Sequence, residues 1–356
     1  MTKRVVIKVG TSSVTTSSGE VDLSVLSSLA ADVVAMQAEG WHVIVVTSGA
    51  ITVGWNAVGA GAPRPHELPT LQAVSAVGQP LLMSAWRSAF AANGRAVGQV
   101  LLAPLDFSHR GQYLHARGTL EALEALGVVA IINENDAVAD EEIRYGDNDR
   151  LAALVANLVG ASHLVLLTDA PGLLTADPRL DPTATLIEEV SAIDDSLVAV
   201  AGVSRSGVGS GGMASKLAAA RMATWSGVTT VIAAAREPHP LVRALDASVS
   251  FGTTFLPRDE RLPARKAWIA FAVASRGRVT VNQGALQAIT HHGRSLLRVG
   301  VTGHEGDFVD GDAVEVLDVD GTVVAKGLVR LSADEWESGD DIAIHRDDLV
   351  LLRSVN

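Results

Sequence analysis

The sequence predicts an α/β protein, a three-layer αβα sandwich on a mainly parallel sheet, followed by a small β-rich domain. Six short, continuously apolar segments alternate with segments of helical spacing. Uninterrupted hydrophobicity in a strand indicates that both faces are covered, which is typical of parallel sheets between helices. Near the C-terminus this alternation gives way to short strands and turns. The 356 residues, 48% of them apolar, suffice for two domains with substantial cores.

The strands and helices of the first domain are predicted in regular order. Apolar residues three or four apart identify the helices, and β-branched apolar runs identify the strands. The six strands are expected at 5–9, 43–46, 97–103, 128–132, 164–167 and 228–233. The helices are expected at 22–39, 71–92, 112–126, 150–159 and 213–226.

A charged, proline-flanked segment marks the predicted domain boundary. We place the first domain at 1–257, a linker at 258–269 and the β-rich domain at 270–356. In the last of these, the dipeptide Asp320-Gly321 between two apolar runs predicts a β-hairpin. Residues 270–356 hold 8 Lys and Arg against 14 Asp and Glu, a net charge of −6. RNA binding requires a basic surface, so this domain is interpreted as structural or regulatory.

Charge and composition disfavour several classes of protein. The net charge of −12 disfavours binding to nucleic acids and to anionic membranes. The absence of cysteine removes disulfides, thiolate catalysis and cysteine-based zinc sites. The first ten residues lead directly into a strand without the apolar core of a signal peptide, so a cytoplasmic protein is expected.

Small and polar residues recur at the ends of several predicted strands. The segments at these ends are Lys8 to Thr11, Ser48 and Gly49, Asn133 to Asp136, and Thr168 and Asp169. Ligands of open parallel sheets bind beyond the carboxyl ends of the strands. We therefore expect these residues to share one crevice.

Lys8 and the acidic residues near 148 each have two interpretations. A lysine within a buried strand is costly unless it meets an anion, although Lys8 could also extend to solvent from the strand end. Asp147 and Asp149 flank Asn148 where a helix begins. They suit either a ligand pocket or an ordinary solvated helix start.

A glycine-rich segment, 207–216, precedes the last helix of the first domain. It satisfies G-x-G-x-x-G, but no apolar strand precedes it and no G-K-[ST] follows, which argues against a dinucleotide fold and a P-loop. Exposed backbone N–H groups at a helix start, with Lys216 in the first turn, favour a phosphate site. The alternative is a flexible surface loop.

Seven motifs occur in the order and spacing of the glutamate 5-kinases: K-V-G-T-S, V-T-S-G-A-I, I-N-E-N-D-A-V, G-D-N-D, L-L-T-D, T-A-D-P-R and G-S-G-G-M-A-S-K. The chain resembles this branch of the amino-acid kinase family over essentially its whole length, and its last domain resembles a PUA domain. The resemblance implies ATP-dependent phosphorylation of the γ-carboxylate of L-glutamate to L-glutamyl 5-phosphate, the first step of proline biosynthesis. It also implies Mg²⁺ carried by ATP, feedback inhibition by proline, and a homo-oligomer, either a dimer or a tetramer.

The same resemblance assigns roles by motif position. Lys8 and Lys216 would be catalytic, with Asp149 ordering both. Ser48, Asp136 and Asn148 would bind glutamate, and Gly10, Thr11 and Gly49 would offer backbone amides to the phosphate. The ATP-binding positions would be Lys8, Gly10, Thr168, Asp169, Ser210, Gly211, Gly212, Met213, Ala214, Ser215 and Lys216. No protein side chains are expected to bind the metal, and residues 137–145 are interpreted as a flap over glutamate.

The chemistry of a carboxylate acceptor agrees with this residue set. With a pKa near 4.3 the acceptor is already ionised at pH 7, so no general base is needed. Transfer then requires positioning and stabilisation of charge on the phosphoryl group. Another kinase of the same superfamily, acting on acetylglutamate, aspartate, uridylate or carbamate, is the main alternative. The acidic residues, suited to a free α-ammonium group, argue against it. An RNA-binding or RNA-modifying factor that uses the C-terminal domain is the alternative from another class, and the charge balance argues against it.

Overall fold

The computed structural model describes residues 3–59, 63–138, 148–194, 197, 212–335 and 341–352. The chain divides into two compact units. Unit 1 comprises Met1–Asp106 and Arg110–Arg261, and unit 2 comprises Phe107–His109 and Leu262–Asn356. In the described part of the chain, no helix combines the length and apolar character needed to span a membrane.

Unit 1 is built on an eight-stranded sheet with the order β3-β4-β2-β1-β5-β7-β8-β6. All its pairings are parallel except that of β7 with β8. The predicted mainly parallel sheet is thus confirmed, whereas the short strands β6 and β8 were not predicted. Strands β1 to β8 are Lys3–Val9, Trp41–Thr47, Val97–Leu102, Val129–Glu134, His163–Thr168, Glu189–Val190, Thr229–Ala234 and Thr253–Phe255.

Two helices of unit 1 begin at recognisable sequence signals. Helix α2 starts after Asp22, whose carboxylate accepts the N–H of Val25. Helix α3, which was not predicted, starts after Gly49, whose φ of 108° is readily adopted only by glycine. Helices α1 to α9 are Thr11–Val14, Leu23–Ala38, Ala50–Val58, Leu68–Ala91, Pro104–Ser108, Arg110–Ala125, Asn148–Val159, Met213–Trp225 and Pro240–Leu245, with a 3₁₀ turn at Asp136–Val138.

Side chains of the central strand β1 alternate between the two faces of the sheet. Val5, Ile7 and Val9 join the core that includes residues of α2, α4 and α9. Lys8 therefore points to the opposite face. Helix α7 packs against β1, and α8 packs against α7. Because side chains alternate along β1, Lys8 lies on the face of the sheet that is covered by α7 and α8, the helices that carry Asp149 and Lys216.

Unit 2 contains a six-stranded sheet with the order β10-β14-β13-β12-β9-β11, which confirms the predicted β-rich domain. The predicted Asp320-Gly321 turn connects the antiparallel strands β12 and β13, and Gly321 has a φ of 78°. Phe308, Val316 and Ile344 are among its core residues. Strands β9 to β14 are Ser275–Val281, Leu296–Leu297, Val301–Gly306, Ala313–Leu317, Val323–Val329 and Ile342–Leu351; helices α10 and α11 are Ala264–Ala267 and Gln283–Thr290.

Candidate active site

One buried carboxylate joins two buried lysines beyond the carboxyl end of the central strand. The Nζ atom of Lys8 lies 2.8 Å from Asp149 Oδ1, and the Nζ atom of Lys216 lies 3.0 Å from Asp149 Oδ2. Asp149 is fully buried, and the two lysines are 5% and 4% exposed. The hydroxyl of Ser215 also donates to Asp149 Oδ2, at 2.8 Å. The two ammonium groups and the carboxylate together carry one positive charge.

Three elements that are distant in sequence bring these side chains together. Lys8 belongs to β1, Asp149 to the first turn of α7, and Lys216 to the first turn of α8. The interpretation of Lys8 as a solvent-reaching side chain is wrong, because its ammonium group is paired inside the protein. The interpretation of Asp149 as part of a solvated helix start is also wrong, because its side chain is fully buried.

The electrostatic balance keeps Asp149 ionised. Burial by itself would raise the pKa of Asp149, but the positive charges of Lys8 and Lys216 outweigh it and lower the pKa to about 2. The carboxylate is therefore charged at every pH near neutrality. The group of three carries one net positive charge in a buried position, which favours an anionic ligand.

Stability in acid tests this pairing. A carboxylate with a lowered pKa stabilises the folded chain above its unfolded pKa, near 3.9, and this stabilisation is lost as the pH falls through the folded value. Between about pH 4 and pH 2, the difference in unfolding free energy between wild type and Asp149→Asn should shrink by on the order of 2 kcal/mol. Urea denaturation at each pH measures it. A difference that stays constant over this range would contradict the pairing.

A second polar cluster joins the ends of β2 and β4 to the start of α7. The Nδ2 atom of Asn148 donates to Ser48 Oγ at 2.7 Å and to Asn133 Oδ1 at 3.1 Å. In turn, Asn133 Nδ2 donates to Gln79 Oε1 at 2.7 Å. All four side chains are buried. Asn148 Oδ1 is buried and has no hydrogen-bond partner among the described residues, so it can accept a hydrogen bond from a ligand.

Asp136 lies beside this cluster, in the turn after β4. The hydroxyl of Ser75 donates to Asp136 Oδ2 at 2.6 Å. Burial raises the pKa of Asp136, and the opposing effects of the Ser75 hydrogen bond and the positive charge of Arg64 do not cancel it. The side chain is partly exposed. A partly buried carboxylate in this position suits a small cationic group.

The carboxyl ends of β1 and β5 form the other side of the site. Val9 pairs with Leu167, so Gly10 and Thr168 follow at neighbouring positions. In the strand order, β2 lies next to β1 on one side of this pair, and the strands that follow β5 in sequence lie on the other side. Open α/β sheets bind ligands at such a point of reversal. A Cβ atom on Gly10 would lie 3.6 Å from Lys8 Nζ, so the glycine leaves the space beside the ammonium group open. The Thr168 hydroxyl donates to Asp169 Oδ1 at 3.0 Å.

Helix α8 begins at Met213, after an N-cap glycine, Gly212, that has no side chain to cap it, and the N–H groups of its first turn point towards this end of the helix. Met213, Ala214 and Ser215 belong to that turn. Ser210 and Gly211, Asp147 and most of the predicted flap at 137–145 lie outside the described residues.

Comparison with known proteins places the chain in a family. The model of the amino acid kinase family matches residues 3–234, and the model of the PUA domain matches residues 277–343. A glutamate 5-kinase from Geobacter sp. (strain M21) is 44% identical over 367 residues, covering 98% of each chain. The chain belongs to the glutamate 5-kinases of the amino acid kinase family.

Further comparisons agree with this membership. A glutamate 5-kinase from Frankia casuarinae (strain DSM 45818 / CECT 9043 / HFP020203 / CcI3) is 45% identical, over 98% of this chain and 97% of that protein. The solved structure of carbamate kinase from Giardia lamblia bound to AMP-PNP is 18% identical, with a TM-score of 0.51 over 72% of this chain and 99% of that one. The predicted amino-acid kinase fold and its PUA-like domain are thus confirmed.

In this member of the glutamate 5-kinases, the predicted site residues that the structure describes include two adjoining groups. Lys8, Asp149 and Lys216 meet directly, and Asn148 connects with Ser48. Sequence inspection missed Gln79 and Ser75, which contact the second group from α4. Both occupy buried positions in the otherwise apolar stripe of α4. Their polarity at these positions was the only sequence signal that could have identified them as candidate site residues. The buried face of α4 comprises Leu71, Val74, Ser75, Gly78, Gln79, Leu82, Trp86, Ala89 and Phe90.

Proposed function

We propose that this chain transfers the γ-phosphoryl group of ATP to the γ-carboxylate of L-glutamate, giving L-glutamyl 5-phosphate for proline biosynthesis. The observation that carries the proposal is the pair of buried lysines held on one carboxylate, with a net positive charge, next to a polar cluster suited to an amino acid. The names of relatives 44% and 45% identical over nearly the whole chain support the same reaction.

On the phosphate side, we assign Lys8 and Lys216 to the transferred phosphoryl group. Their ammonium groups would stabilise the negative charge on its oxygens, while Asp149 holds both in place. The N–H groups at the start of α8 and the positive end of its dipole suit the other phosphates. Gly10, Thr168, Asp169 and the segment 210–216 are assigned to ATP, with Thr11 and Gly49 offering backbone amides.

The transfer needs no general base. A γ-carboxylate oxygen of glutamate forms a bond to the γ-phosphorus of ATP, the bond from that phosphorus to the bridging oxygen breaks, and ADP leaves with the electron pair. Because the carboxylate is already ionised at pH 7, no proton has to be removed. The protein contributes alignment and charge stabilisation, which are the main requirements of phosphoryl transfer.

We assign Mg²⁺ to the phosphates of ATP and not to a protein cage. Mg²⁺ commonly keeps several waters and binds through substrate phosphates, where it neutralises part of their charge. Both oxygens of Asp149 already face ammonium groups. In the parts of the chain that the structure describes, no group of three or more His, Asp or Glu side chains could hold a metal ion.

On the acceptor side, we assign Asp136 and Asn148 to the α-ammonium group of glutamate and Ser48 to a hydrogen bond with the substrate. An ammonium group has three donors, and Asn148 Oδ1 and the Asp136 carboxylate are two acceptors at the same end of the sheet. An acceptor whose amino group is acetylated carries no such charge. The pocket should therefore favour free glutamate over N-acetylglutamate.

Asp136→Ala should raise the KM for glutamate by roughly 10- to 100-fold, because a charge-assisted hydrogen bond to the ammonium group is lost. The KM for ATP should change less than threefold, since the nucleotide site uses other residues. Steady-state kinetics with each substrate varied in turn measures both. Equal increases in the two KM values would contradict the assignment.

A hydroxamate assay tests the proposed reaction. The acyl phosphate reacts with hydroxylamine to form a coloured hydroxamate, so glutamate, N-acetylglutamate and aspartate can be compared in parallel with ATP and Mg²⁺. Glutamate should give the hydroxamate and the other two should not. Hydroxamate formed only with N-acetylglutamate or only with aspartate would indicate that the chain catalyses another reaction of the superfamily.

From the resemblance alone, we also propose that the chain forms a homo-oligomer, a dimer or a tetramer, and that proline inhibits it.

A further inference from the structure

We propose that Gln79 and Ser75, one turn apart on α4, are positioning residues that set the orientation of the acceptor-binding side chains Asn148 and Asp136. The inference rests on the proposed function, because it concerns how the glutamate pocket is held in shape. Each residue acts through another side chain and is therefore distinguished from the residues assigned to the substrate itself.

The first observation is the direction of the hydrogen bonds that start at Gln79. Its Oε1 atom accepts from Asn133 Nδ2, which leaves Asn133 Oδ1 to accept from Asn148 Nδ2. Asn148 Nδ2 is thereby turned towards Asn133 and Ser48, and Asn148 Oδ1 faces away from both. While Gln79 presents its acceptor oxygen to the relay, Asn148 Oδ1 is the atom offered to a ligand. An ammonium group requires the oxygen, and a reversed amide would present a donor to it.

The second observation is independent of the relay. Ser75 precedes Gln79 by four residues, so the two side chains lie on the same face of α4. The hydroxyl of Ser75 donates to Asp136 Oδ2 at 2.6 Å. This bond fixes the carboxylate in one rotamer and favours its ionised form. One helix face therefore contacts both of the groups assigned to the substrate ammonium.

Helix α4 is itself held firmly against the segment that carries Ser48. A Cβ atom at Gly54 of α3 would overlap the carbonyl oxygen of Val74, and one at Gly78 of α4 would overlap that of Ala50. The two helices are thus in backbone contact, and α3 begins two residues after Ser48. A face of α4 can consequently act as a fixed reference for the pocket.

Packing alone does not account for these two side chains. Gln79 and Ser75 are 9% and 4% exposed within an otherwise apolar stripe, where an unsatisfied polar group is costly. An apolar residue would fill either position at lower cost. Both polar groups instead bond to residues at the carboxyl ends of the strands, which indicates that their polarity serves the site.

Gln79→Met tests the relay. The variant keeps the length of the side chain and removes the acceptor, so the KM for glutamate should rise about tenfold through loss of one oriented hydrogen bond, with the KM for ATP within twofold of wild type. Gln79 borders a surface depression together with Pro80, Met83 and Leu101, where a thioether can be accommodated. Gln79→Glu retains an acceptor oxygen in either protonation state and should recover most of the affinity for glutamate. Gln287→Met, on the exposed side of α11, is the matched control.

Ser75→Ala tests the second bond, with Ser84→Ala, exposed on the same helix, as its control. We expect roughly a threefold increase in the KM for glutamate, because the carboxylate of Asp136 loses the donor that orients it and stabilises its ionised form. If wild type forms no acyl phosphate with glutamate, the proposed function fails. A different outcome would overturn only the positioning role: wild type is active, but Gln79→Met and Ser75→Ala either raise the KM for glutamate and the KM for ATP equally or change neither KM. Failure of Gln79→Glu to restore affinity would overturn the relay.

Discussion

Lys216→Ala should lower kcat by about 10³-fold, because it removes one of the two preorganised cations that we assign to the transferred phosphoryl group. The folded state should change little, since Asp149 keeps its ion pair with Lys8 and its hydrogen bond from Ser215. Steady-state kinetics at saturating ATP and glutamate, together with thermal denaturation, measures both effects. Lys3→Ala, an exposed lysine on the same strand as Lys8, is the control and should retain wild-type turnover. A kcat of Lys216→Ala within tenfold of wild type would remove Lys216 from the mechanism.

Asp149→Asn should strongly destabilise unit 1. It leaves two buried ammonium groups without their shared carboxylate, and loss of one partner from a buried ion pair costs about 3–5 kcal/mol. The midpoint of thermal unfolding should fall by roughly 10 °C. Turnover should also be lost, because the two lysines are no longer held together.

A second substitution tests whether the loss of stability in Asp149→Asn comes from the unbalanced buried charge or from the changed side chain itself. Adding Lys216→Met to Asp149→Asn returns the local charge from two positive charges to one, as in wild type. Much of the lost thermal stability should therefore return, whereas activity should not. Asp149→Asn with the melting temperature of wild type, or a double variant less stable than the single one, would contradict the electrostatic account.

The fold was largely predictable because its central strands are buried on both faces. The run Val43 to Val46 is continuously apolar and the run Val5 to Val9 is interrupted only by Lys8, which indicated a covered parallel sheet. The strands Glu189–Val190 and Thr253–Phe255 are too short to show any periodicity, so they were missed. Helix α3 was missed because its start depends on the left-handed conformation of Gly49, which the apolar pattern does not reveal.

The site was predictable only where a residue type was unusual for the helix or strand that carries it. Lys8 in a buried strand required an anion, and this pointed to a functional group. That its partner is Asp149, 141 positions further along the chain, follows from the packing of α7 on β1 and not from any local pattern. Gln79 and Ser75 remained hidden because a helical stripe shows which face is buried, but not which element supplies the partner of a polar residue.

The most direct test follows the oxygen atoms. L-Glutamate labelled with ¹⁸O in its γ-carboxylate is incubated with the chain, ATP, Mg²⁺ and hydroxylamine, and the released phosphate is analysed by mass spectrometry. Attack of a carboxylate oxygen on the γ-phosphorus makes that oxygen the bridge of the acyl phosphate. Hydroxylamine then cleaves the bond from carbon to the bridge. Each released phosphate should carry one ¹⁸O, and phosphate without ¹⁸O would contradict attack by the γ-carboxylate on the γ-phosphorus.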